Sequence, residues 1–115
     1  DVILGGTTTS VYVGGFTQLG TAAPQIKMVK LTGTTAAAQG AVSSVAHGVV
    51  DFTKILSVQV MVNNGPNLIP AEYTANGGYQ YGVDVDATNV NVTNKAGNSG
   101  NILLKSLTIL ITYEQ

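Results

Sequence analysis

Thr53-Lys-Ile-Leu-Ser-Val-Gln-Val-Met-Val62 is written for an extended chain. Successive side chains of a strand point to opposite faces, so Leu56, Val58, Val60 and Val62 share one side and Ser57 and Gln59 the other. That alternation predicts a strand with one buried face. Asn63-Asn64-Gly65-Pro66 follows as a turn, because Asn and Gly tolerate positive φ and Pro fixes the exit. Leu68-Ile69-Pro70 is then a short apolar piece ending in a residue that cannot donate to a ladder, which suits the edge of a sheet.

The same pattern recurs on both sides. Toward the C-terminus, Tyr79, Tyr81, Val83 and Val85 alternate with Gln80, Gly82, Asp84 and Asp86. Ala87-Thr88 turns that strand into Val90-Asn91-Val92 and predicts a hairpin. A loop of turn residues, Asn94-Lys-Ala-Gly-Asn-Ser-Gly100, leads to a long last strand over 102–113. There Leu103, Leu107, Ile109, Ile111 and Tyr113 are expected on one face, interrupted by Lys105. Toward the N-terminus, Pro24 precedes a first strand over 25–32. Residues 33–40 are small and read as a loop or edge strand, since Thr and Gly flank the alanines and no charged helical face exists. Residues 41–46 form another strand, ending at a His47-Gly48 turn.

No stretch shows a 3.6-residue apolar period. Many short strands separated by Gly/Asn turns predict an all-β, antiparallel β-sandwich, jelly-roll-like or Ig-like. Residues 25–115 make the head. Residues 1–24 are an extended lead-in, broken by Gly5-Gly6 and Gly14-Gly15, whose Val2-Ile3-Leu4 and Val11-Tyr-Val-Gly-Gly-Phe16 need another surface to lean on.

Composition narrows the function. The chain has 115 residues, enough for one domain with its own core. Charged residues are only 10%, against roughly 25% in ordinary soluble domains. A net charge of -1 with scattered Lys residues gives no footprint for nucleic acid. No apolar run is long enough to span a bilayer as a helix, so no membrane insertion is expected. The first ten residues lack the basic start and apolar stretch of a signal peptide, and a chain opening on Asp1 is expected to be the tail end of something longer. Without cysteine neither disulfides nor thiol chemistry are available, and oligomerisation is one remaining source of stability.

Chemistry-bearing residues are few. His47 is the sole histidine, with no cysteine or second histidine to complete a metal site and no nucleophile to serve. It is read as a structural histidine at a turn or interface. Asp84 and Asp86 share a strand face and could offer oxygen to calcium, but two carboxylates are a poor calcium site. Exposed, they also lack the burial that raises a glycosidase acid's pKa. A solvated face that discourages edge pairing is the expected role. The glycines at 5, 6, 14 and 15 precede no Lys-Ser/Thr and no helix, so they cradle no phosphate. In Tyr73-Thr-Ala-Asn-Gly-Gly78, Tyr73 and Asn76 could stack on and hydrogen-bond a sugar; the plainer reading is a tyrosine fastening its loop to the sheet. No catalytic residue, metal or cofactor is expected.

Several segments together carry a likeness. They are Ile26-Lys-Met-Val-Lys-Leu-Thr-Gly33, Ala46-His47-Gly48, Lys54-Ile-Leu-Ser-Val-Gln-Val60, Leu68-Ile-Pro70, Gly78-Tyr-Gln-Tyr81, Gly97-Asn-Ser-Gly-Asn-Ile-Leu103 and Ile109-Leu-Ile-Thr-Tyr113. Their order resembles the C-terminal receptor-binding domains of phage tail fibres and tail-associated adhesins, especially from phage and prophage regions of Bacteroidetes-type bacteria. The resemblance implies a homotrimeric fibre tip, on the virion or otherwise extracellular, that touches a host-surface glycan or protein. It assigns no contact residue. Two other readings compete: a structural virion or contractile-injection component without receptor binding, and a carbohydrate-binding module of a secreted protein. The latter is disfavoured by the absence of Trp and 6% aromatic content.

Overall fold

The computed structural model describes residues 5–7 and 10–115. Within them the chain forms seven strands: β1 (Ile26–Thr34), β2 (Val42–Ala46), β3 (Ile55–Asn63), β4 (Leu68–Pro70), β5 (Tyr81–Val85), β6 (Asn89–Asn94) and β7 (Ser106–Glu114). One short 3-10 turn, Phe52–Lys54, precedes β3. The strands make a four-stranded sheet, β1-β7-β3-β4, packed on a three-stranded sheet, β2-β6-β5, and every pairing is antiparallel. The molecule is an all-β sandwich. First strand pairs with last and second with next-to-last, the nesting of a jelly roll rather than the Ig strand order.

The core lies where the inner faces meet. Val60, Val62, Ile69, Leu107, Ile109 and Ile111 from the larger sheet face Tyr81, Val90 and Val92 from the smaller. Val58 sits opposite Ile111 and Val60 opposite Ile109, as the alternation of both strands requires. Tyr81 also ties the sheets together. Its hydroxyl lies 2.6 Å from the Ile69 carbonyl and 3.0 Å from that of Val60, so its single proton is shared between carbonyls on two strands of the other sheet. Burial, with a smaller push from the Glu72 carboxylate, holds its ionisation well above the usual tyrosine range.

Two expectations fail locally. The ladder between β3 and β7 shifts between Ile55 and Ser57, so Leu56 is a bulged residue and turns outward while Ile55 packs against the core. An extra residue in one strand inverts side-chain parity beyond it. The last strand begins at Ser106, not Ile102. Residues 102–105 form turns in which Leu104 has a φ of 51° and Ile102, rather than Leu103, is fully buried.

Gly33 lies where β1 approaches the second sheet: a Cβ there would stand 2.9 Å from the Val45 methyl Cγ2. The lead-in touches the body sparingly. Thr17 and Ile26 exchange backbone hydrogen bonds of 2.9 and 2.8 Å, and Phe16 meets Tyr113 edge to face at 5.8 Å. The radius of gyration is 16.8 Å, against about 13 Å for a compact domain of this length. Val2-Ile3-Leu4 lies outside the described residues.

Candidate functional site

His47 directly follows β2 with its side chain buried. Its Nδ1 accepts a 3.0 Å hydrogen bond from the Val49 N–H, which leaves the proton on Nε2 to donate to the Asp86 carbonyl, also at 3.0 Å. Both ring nitrogens are therefore committed within the turn. Asp86 in turn organises the β5–β6 hairpin. One carboxylate oxygen accepts from the Thr88 and Asn89 N–H groups at 2.8 and 2.7 Å, the other from the Asn91 side-chain amide at 3.0 Å. The Asn91 amide first, and then these two backbone donors, lower its pKa to about 2.

The same Asn91 amide donates to Asp84 at 2.8 Å, while its carbonyl accepts from the Ser44 hydroxyl at 2.7 Å. One asparagine thus separates the two carboxylates across the outer face of the small sheet. Among the described residues no three His, Cys, Asp or Glu side chains converge as a metal site would need.

Tyr73 and Asn76 do come together. The Asn76 amide donates to the Tyr73 hydroxyl at 2.8 Å, and the Tyr73 ring meets Tyr79 edge to face at 6.0 Å. Both rings pack partly against the core, whereas Asn76 is exposed. The tyrosine anchors its loop and keeps its hydroxyl at the wet rim, where an exposed amide accompanies it.

Beside this loop a polar network closes one end of the sandwich. Asn94 is fully buried; its amide donates to the Ala36 and Ala38 carbonyls at 3.0 and 3.1 Å, fixing the small-residue loop after β1. The Gln39 side-chain oxygen of that loop accepts from the Ser99 N–H at 3.0 Å, and the Asn98 side-chain oxygen Oδ1 accepts from the Gly78 N–H at 2.5 Å. Three loops that differ widely in sequence position are stitched into one rigid surface.

The opposite end holds a feature that reading the sequence did not find. A shallow cleft of about 330 Å³ is lined by Phe16, Val49, Val50, Lys54, Tyr113 and Glu114, among others. Its aromatic wall is the Phe16–Tyr113 pair, and the Lys27 ammonium sits 4.8 Å from the Phe16 ring centroid. Asp51 at the rim accepts from the Thr53 hydroxyl and N–H, which lower its pKa and keep it charged. The only local signal was the apolar Val49-Val50 pair after Gly48. Phe16 and Tyr113 are joined by the fold, so no spacing along the chain reveals them. An apolar wall with a few hydrogen-bonding groups at its rim can hold a small polar ligand by stacking and orientation.

The chain is a jelly-roll-like sandwich with a lead-in and two loop surfaces where aromatic rings meet polar groups. Comparison with known protein families, curated proteins and solved structures gives no match to it.

Proposed function

We propose that this domain is a non-enzymatic attachment module, the receptor-binding tip of a phage tail fibre or tail-associated adhesin. It works as a homotrimer on the virion or otherwise outside cells, and its receptor is a host-surface glycan. One observation carries the reading. Val11, Tyr12 and Val13 are 56%, 91% and 53% exposed, side by side, in a segment that holds no charged residue from Ser10 to Pro24. Apolar side chains left uncovered together mark a surface that another chain covers.

The rest agrees with such a role. A surface built on Thr, Ser, Asn and Gly offers hydroxyl and amide groups suited to sugars. The Phe16–Tyr113 cleft and the Tyr73–Asn76 loop are the two places where an aromatic ring and such groups meet. Three weak sites on one rigid tip gain roughly 10²–10⁴ in avidity over one. Sedimentation of the whole 115-residue chain at micromolar concentration, followed by screening on immobilised glycans, tests the reading. A trimer retained by a defined glycan class is expected. A stable monomer overturns it in favour of a monomeric binding module, and a trimer without glycan affinity favours a structural virion component.

A further inference from the structure

The outer edge of β1 carries an unfilled ladder. Ile26 directs its N–H to Thr17 and Gln25 accepts from Gln115, so alternate residues of β1 face opposite sides. Lys27, Val29 and Leu31 bond toward β7, while the N–H and C=O groups of Met28, Lys30 and Thr32 face outward with no strand beside them among the described residues. The lead-in begins to fill this edge and then stops. After the Thr17–Ile26 bridge the chain bends at Gly14 and Gly15 and pairs no further with β1, leaving an open cavity between Val13–Gly15 and Ile26–Met28.

We propose that residues 11–13 of a second copy of this chain dock along this edge as an added antiparallel strand. The inference rests on the multimeric reading above and names the surface that builds the multimer. The register already set by the bridge defines the fit. Continued two residues at a time past the hinge, it places Val13 opposite Lys30 and Val11 opposite Thr32. Side chains of opposed residues share a face, so Val11 and Val13 lie on the outer face of the sheet. Tyr12 falls on the inner face opposite Leu31, which is only half-buried, just as Phe16 lies on the inner face against Tyr113.

The docked strand therefore covers the open flank of the core with its largest exposed side chain. It is uncharged, so it meets Lys30 without like-charge repulsion. The two glycines supply the hinge that sends the segment to a neighbour instead of back onto its own edge. Passed around a threefold axis, each strand fills one edge and each edge receives one strand, which closes the assembly and leaves no β1 edge open.

Cysteine pairs read this register directly, because the chain has no cysteine of its own. Opposed residues in such a pair have Cα atoms about 5.5 Å apart, within disulfide reach. Val13 and Lys30 are both exposed, so neither change threatens the core. The Val13→Cys chain and the Lys30→Cys chain are mixed, assembled and oxidised, and the same is done with the double variant. We expect disulfides between the two singly substituted chains, and species up to the covalent trimer from the double variant. Moving the second cysteine to Gln59, exposed on a different strand, abolishes the link. Sedimentation of the unmodified protein separates the failures. A multimer whose mixed variants do not cross-link overturns the β1 edge alone, and a monomer overturns the multimeric reading with it. An intramolecular disulfide in the double variant shows the lead-in closing on its own edge, and overturns exchange between copies.

Discussion

β1 has two flanking segments of similar character and opposite fate. On one side Ser106–Glu114 pairs with it along nine residues and buries Leu107, Ile109 and Ile111 almost completely. On the other side Val11-Tyr-Val-Gly-Gly-Phe16-Thr17 also alternates apolar residues, yet it touches β1 through a single bridge. Propensity does not separate them, since Val and Tyr favour strands as Ile does. What separates them is what lies beneath and what interrupts. β7 lies between two strands and over the second sheet; the lead-in has Gly-Gly in its middle and solvent around it. A strand's fate is set by the surface it meets, and past the Thr17–Ile26 bridge the outer flank of β1 meets none among the described residues.

The largest effect should come from breaking the filled side. Val60 is 5% exposed and stands opposite Ile109. Val60→Asp buries a charge without a partner, at a cost of several kcal/mol, and should leave a chain with no cooperative thermal transition. Tyr12→Asp places the same charge on the unfilled side. It should leave monomer folding unchanged in circular dichroism and abolish assembly in sedimentation. Equal melting of the two variants would erase the distinction between the flanks.

Gly33 probes the inner side of β1. A Cβ there meets Val45, whose branched side chain has little rotamer freedom, and approaches Leu107 at 3.4 Å. Gly33→Ala should destabilise the domain by about 1–3 kcal/mol through overpacking. Adding Val45→Ala should return part of that loss, measured as a coupling in urea denaturation. Additive losses would show that β1 and β2 do not touch as described.

The contrast between the flanks also explains what the sequence disclosed. Strands whose alternation coincides with burial were legible from it: β3, β7 from Leu107 onward, the β5–β6 hairpin and the proline-ended edge strand β4. Leu56 misled because a bulge is fixed by the partner strand's register, not by its own neighbours. Ile102 misled because its burial depends on turns that the Thr35 hydroxyl holds by accepting from the Lys105 N–H at 2.8 Å. The Asn94 network and the Phe16–Tyr113 cleft join residues some sixty to a hundred positions apart. Such juxtapositions exist only once the sheets have closed.

His47 and Asp86 carry the contrast to polar groups, one buried and one exposed. His47→Gln can replace at most part of the ring's two hydrogen bonds, so a loss of about 1–2 kcal/mol is expected in thermal denaturation. Glycan binding should stay within a few-fold, because neither ring nitrogen faces a ligand. Loss of binding with an intact melting transition would assign the turn to the receptor surface.

Asp86 should give the smallest effect, since its carboxylate is fully exposed and screened by solvent. Its direction is nevertheless fixed. The folded pKa of about 2 lies below the ordinary aspartate value of about 3.9. The unfolded chain therefore takes up a proton first as the pH falls, and the stability contributed by this carboxylate is present above pH about 4 and lost as the pH drops toward 2. Asp86→Asn keeps a side-chain oxygen for the Thr88 and Asn89 N–H groups and removes the titrating charge together with the second acceptor oxygen, which receives the Asn91 amide. Melting temperatures of the two proteins should thus converge between pH 5 and pH 2. Asp51, also lowered by its own cap, titrates in both and cancels in the difference. Parallel curves throughout that range would mean that the hairpin does not draw on the charge of Asp86, and that its backbone turn alone holds β5 to β6.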